Sequence, residues 1–269
     1  VKRRRQRQMC IRDRFWADQA AGIPWIVAPE NILDKDQNGV WRWFSDGVLN
    51  SCHVALDQHV AAGRGDQPAL IYDSPVTGEI QHFTYAQLLE KTAIIAGGLV
   101  DLGVGKGDVV VIYMPMVPET VAAMRACARI GAIHSVVFGG FAPSELAMRI
   151  DDANPRVVLA ASCGIEVDRV IAYQPLLNEA IDLAEHKPDH VVMLQRQQCE
   201  ATLSMPRDID WHTWERQASP VDCVPVSATD PLYVLYTSGT TGKPKGIVRD
   251  NGGHAVALNY SMRAVYGVG

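Results

Sequence analysis

No apolar run in this 269-residue chain approaches the ~18–20 residues that a membrane-crossing helix needs, so no membrane partner is expected. No internal repeat or low-complexity tract appears after the first 14 residues, which sets aside the repeat architectures. Cysteine is sparse and scattered: Cys10, Cys52, Cys127, Cys163, Cys199 and Cys223 form no C-x-x-C pair. That spacing excludes a disulfide framework or zinc module and predicts reduced thiols in a cytosol-like compartment. The eight histidines are dispersed as well, and no metal site is expected.

Positive charge is scarce in the body of the chain. Lys2, Arg3, Arg4, Arg5, Arg7, Arg12 and Arg14 crowd into residues 1–14, leaving 18 basic against 29 acidic residues beyond them. The body therefore carries −11, against −5 for the whole chain, and does not suit nucleic-acid binding. The basic head lacks serine and has little apolar content, unlike a transit peptide. Its Met9–Arg14 portion, MCIRDR, resembles translated adapter sequence, so residues 1–14 are expected to be non-native or disordered.

What is present is an ordinary globular composition, 48% hydrophobic and 20% charged, in a chain long enough to bury a substantial core. Residues 15–65 are tryptophan-rich (Trp16, Trp25, Trp41, Trp43) and broken by Pro24, Pro29 and Asn38-Gly39. They read as an irregular segment wrapping a domain, with the tryptophans packing rather than caging a ligand. From Asp66 onward strands and helices alternate. Thr84 and Gln87 make a capping box before Tyr85, Leu88, Leu89, Thr92, Ile95 and Leu99, and Gly103 stops that helix. Short apolar runs at 109–114, 133–138, 157–161, 191–194 and 232–236 suit buried parallel strands. Helices open at Pro118 and Pro143, and another covers 176–185. Residues 66–269 are thus expected to form an α/β domain, a mostly parallel sheet with helices on both faces. A last helix over 253–265 carries Ala255, Val256, Leu258, Met262 and Val265, apolar residues expected to stay exposed without partners beyond Gly269.

The most specific stretch is Leu235–Gly246, LYTSGTTGKPKG. An apolar strand ends in Thr237, Ser238, Gly239, Thr240, Thr241 and Gly242, followed by Lys243, Pro244 and Lys245. Glycines let backbone N–H groups approach a polyanion, hydroxyls add donors, and the lysines supply positive charge. It is not the Walker loop, which needs four residues between its glycines and Ser or Thr after the lysine. Ligands in parallel sheets sit beyond the carboxyl ends of strands. Both this loop and Gly139-Gly140 lie at such ends.

The loop resembles the phosphate loop of the adenylate-forming superfamily, which includes acyl-CoA synthetases, luciferases and carrier-loading adenylation domains. Arg249–His254, Ser162–Glu166 and Gly63–Gly78 resemble propionyl-CoA synthetases more than acetyl-CoA synthetases. The resemblance runs from Phe15 to Gly269 and implies the N-terminal part of that fold, truncated before its small C-terminal domain. It implies an AMP-forming short-chain acyl-CoA synthetase, in which propionate or acetate, Mg2+-ATP and coenzyme A are the co-substrates. Lys245 is then the catalytic cation, with Thr237, Ser238, Gly239, Thr240, Thr241, Gly242 and Lys243 around the nucleotide phosphates. Phe138, Gly139 and Gly140 match the position that lies against coenzyme A. Acetyl-CoA synthetases carry two arginines for the coenzyme's phosphates; Glu166 stands here at the first and Arg169 at the second. The location implied is cytoplasmic, or the mitochondrial matrix in a eukaryote. Two readings stay open beside this one: an acetyl-CoA synthetase, and a nucleotide- or coenzyme-binding fragment without turnover.

Overall fold

The computed structural model describes residues 2–237 and 245–268. Helix α1 (Lys2–Ala20) includes the basic residues of the head, which says nothing of whether that head is native. Arg, Lys, Gln and Met are good helix formers, so the helix extends backward from an end that is held by packing. There Phe15 and Trp16 meet Tyr260 edge-on, with ring centroids 5.2 and 5.8 Å apart.

The α/β domain has the predicted order. Helix α2 (Tyr85–Asp101) carries the Thr84–Gln87 capping box, with both reciprocal hydrogen bonds formed. Strand β1 (Val109–Met114), α3 (Pro118–Arg129), β2 (Ile133–Phe138), α4 (Pro143–Ala153) and β3 (Val157–Ala161) come next. They are succeeded by α5 (Tyr173–Leu183), β4 (His190–Leu194), β5 (Asp208–Asp210) and α6 (Trp211–Gln217). Strands β6 (Pro231–Thr237) and β7 (Lys245–Asp250) and helix α7 (Asn251–Ala264) complete the described chain.

These seven strands make one sheet in the order β5-β4-β3-β1-β2-β6-β7. All neighbours run parallel except β6 and β7, which are antiparallel. Such sheets are covered on both faces, so their central strands can be apolar without alternation. One side chain set of β1 (Val110, Ile112, Met114) packs with α2, α3 and α6; the other (Val111, Tyr113) packs with α4 and α5. Lys91 of α2 ties the first layer together, reaching Glu119 of α3 at 3.3 Å and Glu215 of α6 at 3.2 Å.

Smaller elements decorate this frame. A helical segment, Ser51–Arg64, contains wide π-type turns at His53–Asp57 and Val60–Arg64. Hairpins form from Pro68–Ser74 with Glu79–Thr84, and from Cys163–Glu166 with Arg169–Ala172. The tryptophan-rich lead builds a third core around Phe44 and Leu49, where Trp16, Trp25 and Trp43 pack with Val256 of α7. Val256 is fully buried and Ala255 partly so, which corrects the expectation for those two residues, whereas Leu258, Met262 and Val265 are exposed.

Candidate functional site

The parallel strands share a carboxyl edge, and the residues just beyond it assemble the site. Strand β6 ends at Thr237 and β7 begins at Lys245, and these two residues stand directly opposite each other in the ladder. The glycine–threonine loop therefore hangs from a paired, antiparallel base. Ser238, Gly239, Thr240, Thr241, Gly242 and Lys243 lie outside the described residues. Thr237 and Lys245 are both exposed at its root.

Beside that root lies a cavity of about 590 Å³. Met114 and Met116 approach from the end of β1, Phe138 and Gly139 from β2, and Leu235 and Tyr236 from β6. The turn of the Pro68–Thr84 hairpin, Ser74 to Thr77, covers another side. Four charged residues from different elements reach the lining: Asp73 of the first hairpin, Arg149 of α4, Glu166 of the second hairpin and Arg196 after β4.

The glycine turn after β2 has a local reason for each glycine. A Cβ on Gly139 would stand 2.2 Å from the Tyr173 hydroxyl, so only glycine lets that ring close the floor. Gly140 holds φ +99°, a conformation side chains rarely adopt, and its N–H donates to the Tyr113 hydroxyl at 3.2 Å. Tyr113 and Tyr173 pack at a tilt of 40° with centroids 5.0 Å apart. Burial first, then Tyr113 and the Glu166 carboxylate, push the Tyr173 hydroxyl up to about 12, so it is a neutral donor. Phe138, in contrast, is 67% exposed and forms a free apolar wall.

The cations are held differently. The Arg149 guanidinium lies over the Phe141 ring at 4.7 Å and the Tyr236 ring at 5.6 Å, and its Nη1 meets the Glu145 carboxylate at 3.0 Å. Tyr236 in turn donates to Asp152 at 2.6 Å; burial and that carboxylate raise its pKa. Arg196 Nη1 donates to the Cys163 carbonyl at 3.0 Å, and its backbone N–H to Ser162 Oγ at 2.8 Å. Arg169, named by resemblance, instead sits exposed on its hairpin, across from Glu166, and does not line the cavity.

Arg149 and Arg196 are absent from the sequence-based set of site residues, though each leaves a signal. Arg149 shares a helical face with Leu146 and Ile150, where a solvated arginine has no place. Arg196 falls two residues past the end of β4, on the ligand-binding edge of a parallel sheet.

The described residues thus place a glycine turn and two arginines on the carboxyl edge of a mostly parallel α/β sheet, next to the strand pair that flanks the Gly/Thr segment. The chain belongs to the AMP-binding enzyme family, whose model matches residues 57–268, while residues 5–55 match the acetyl-coenzyme A synthetase N-terminus. It is 49% identical to the Homo sapiens acyl-CoA synthetase short-chain family member 3, mitochondrial, over 95% of this chain and 38% of that protein. It is 42% identical to the propionate–CoA ligase of Salmonella typhimurium, over 97% of this chain and 42% of that one. The solved structure of acetoacetyl-CoA synthetase from Streptomyces lividans superposes with a TM-score of 0.85 at 27% identity, covering 96% of this chain and 39% of that one. The fold is thus the N-terminal part of the acyl-CoA synthetase fold, as the motif resemblance implied. The chain spans about two-fifths of the length of the curated relatives it matches.

Proposed function

We propose that this chain carries the phosphate-handling part of an AMP-forming short-chain acyl-CoA synthetase acting on propionate. The observation that carries the reading is the convergence on one cavity of the Phe138–Gly139 turn, Arg149, Arg196 and Tyr236, the residue next to the paired loop root Thr237/Lys245. The residues present fit a polyphosphate. Two arginines, Arg149 and Arg196, face the space. Mg2+ takes oxygen ligands, largely from the phosphates it accompanies, and would neutralise their charge as pyrophosphate departs.

In the first half-reaction a propionate oxygen attacks the α-phosphorus of ATP, and the bond to the bridging oxygen of pyrophosphate breaks. Negative charge grows on the departing group, so Lys245, Thr237 and the donors of the loop stabilise the transition state more than the ground state. In the second half, the coenzyme A sulfur attacks the acyl carbon and AMP leaves with the electron pair. Phe138 and the Gly139-Gly140 turn offer an apolar wall and close backbone approach to that coenzyme. Glu166 stands beside Gly140, where an added Cβ would lie 3.4 Å from its Oε1. A carboxylate there repels phosphate and shifts the coenzyme's anionic groups toward Arg196 and Arg149.

Propionate is favoured by the Arg249–His254 and Ser162–Glu166 flanks and by the relative named propionate–CoA ligase. The test joins this chain to the remaining part of a relative and measures substrate-dependent pyrophosphate release. Propionate should give a higher kcat/KM than acetate or acetoacetate, and Lys245→Ala should slow turnover by about 10²-fold, typical of losing one donor to a developing anion. A preference for acetate or acetoacetate refutes the substrate. Unchanged turnover in Lys245→Ala refutes the role of the loop.

A further inference from the structure

Away from the sheet edge, the helical segment Ser51–Arg64 and the chain leading into β6 bring two cysteines together. Cys52 Sγ, Cys223 Sγ and a carboxylate oxygen of Asp57 all lie within 4.8 Å of one another. Arg129, from the end of α3, reaches into the same place. Its Nη1 lies 3.6 Å from Cys52 Sγ, 3.1 Å from Cys223 Sγ and 3.0 Å from both Asp57 oxygens. Its Nε is fixed by the Val221 carbonyl at 2.6 Å, so the guanidinium is anchored. Two sulfurs and a carboxylate could also read as a metal site. The arginine argues against it, because a guanidinium nitrogen already occupies the centre of the three ligands and would repel a divalent cation.

We infer that Cys52 and Cys223 are an oxidisable dithiol, a modification site that closes to a disulfide when the protein meets a peroxide. Proximity is the first requirement, and the two sulfurs lie within 4.8 Å of each other. The second is thiolate character, which an anchored cation supports. With Cys223 donating to it and Arg129 beside it, Cys52 loses its proton below the ordinary thiol value, against the effect of burial. Cys223 correspondingly holds its proton more tightly, through the same hydrogen bond and its own burial. Cys52 is fully buried while Cys223 is partly exposed, so a small peroxide approaches from the Cys223 side.

The chemistry balances with the peroxide as the oxidant. The thiolate attacks one peroxide oxygen, the O–O bond breaks, and the leaving hydroxide takes a proton to become water. The resulting sulfenic acid is attacked by the second sulfur; the S–S bond forms, and the hydroxyl leaves with the second thiol's proton as another water. Two electrons pass from the sulfur pair to the peroxide. The bond would tie the Ser51–Arg64 segment to the chain before β6, enclosing strands β1 to β5 in one covalent loop. Of the other described cysteines, Cys127 is buried and its thiol is pushed up to about 12, and Cys163 is buried with a raised pKa. Cys199 is partly exposed and lies near Cys163, but among the described residues neither belongs to a cluster like that of Cys52, Asp57 and Cys223.

The experiment treats the reduced 269-residue chain with stoichiometric hydrogen peroxide, alkylates the remaining thiols and maps peptides by mass spectrometry. The expected product is one Cys52–Cys223 cross-linked peptide, reversible with dithiothreitol, forming roughly tenfold faster than oxidation of Cys199. Cys223→Ser should abolish the cross-link and leave a sulfenic acid that a dimedone probe traps at Cys52. Cys199→Ser should form the cross-link as before. Persistence of both thiols in the treated protein would overturn the inference, as would oxidation confined to Cys199. Zinc binding at one equivalent that shields Cys52 and Cys223 from alkylation would also overturn it, in favour of a metal site.

Discussion

Replacing Asn50 tests how this fold holds its layers together, because one small amide serves three segments. The residue is 1% exposed. Its Nδ2 donates to the carbonyls of Ala128 and Arg129, each at 3.0 Å, and of Val224 at 2.8 Å. Its Oδ1 accepts from the N–H groups of Cys52 at 2.9 Å and His53 at 3.2 Å. Asn50 therefore caps the helical segment Ser51–Arg64, closes the end of α3 and ties both to the chain entering β6. Two N–H donors shared among three carbonyls and two accepted bonds amount to about four hydrogen bonds, each contributing about 1 kcal/mol net. Asn50→Ala should thus lower unfolding free energy by about 4 kcal/mol, with orphaned carbonyls and a lost cap acting in the same direction. Asn50→Asp keeps the shape and the cap but sets a carboxylate against three carbonyls. It should cost about 3 kcal/mol at neutral pH and recover in part as acid restores a donor. Urea unfolding followed by tryptophan fluorescence measures both. An alanine variant within about 1 kcal/mol of the parent, or an aspartate variant equal to it, would refute this account of the junction.

Other expectations rest on the same kind of contact. Burial first, then Arg125 of α3 and His254 of α7, hold His134 down to about 3. The unfolded imidazole binds a proton near 6.5 and the folded one does not, so its contribution is intact above about 6.5. It is lost as pH falls toward 3, by at most about 1.4 kcal/mol per pH unit. His134→Leu should flatten the acid limb of stability against pH, and an unaltered slope would contradict the assignment. Gly139→Ala forces the Tyr173 hydroxyl away from a Cβ 2.2 Å distant and should cost about 1–3 kcal/mol. Adding Tyr173→Phe should return part of that loss in a thermal melt; strict additivity would show that the contact is not the cause. The β7 edge exposes Ile247 and Val248, and α7 exposes Leu258 and Met262, so this chain should self-associate and bind a hydrophobic dye. A dye-silent, monodisperse monomer in light scattering would count against that.

The elements legible in the sequence are those whose burial is one-sided or complete. Val109–Met114 and Val157–Ala161 are apolar without interruption because helices cover both faces of the sheet, and the Thr84–Gln87 box announces α2. Elements that lack a buried face leave no such trace. The Pro68–Ser74 and Glu79–Thr84 hairpin keeps Ile71 and Ile80 exposed, so its alternation carries no core signal. Strand β5 has three residues and is recruited by pairing with β4 rather than by its own pattern. Segment Ser51–Arg64 holds a helical path through wide turns and has Gly63 at φ +75° near its end, which propensity alone does not indicate. The burial of Val256 escapes local patterning because the tryptophan lead and α1 cover it from more than 200 positions away in sequence. At the site, Gly139-Gly140 is legible as a strand-end glycine pair, whereas Arg149 and Arg196 depend on which tertiary space a long side chain enters.

The charge around the cavity bears on how the proposed polyphosphate ligand would be held. The body is at −11, and even the lining sets Asp73 and Glu166 against Arg149 and Arg196. Arg149 is further committed to Glu145 at 3.0 Å. Net positive potential is therefore not what would hold a polyanion here, in contrast to a basic nucleic-acid surface. On the proposed reading the attraction would come from donors with fixed directions around the root Thr237/Lys245, since the Gly140 N–H is already given to the Tyr113 hydroxyl. Such donors act only if their base is rigid, and that base is the antiparallel pairing of β6 with β7, where Tyr236 faces Gly246 and also donates to Asp152 of α4. A Cβ on Gly246 would stand 3.0 Å from Val234 and 3.2 Å from the Tyr236 ring. Gly246, which closes the Gly/Thr motif, is thus explained by strand packing alone, and the motif's two ends are bound to the fold that presents it.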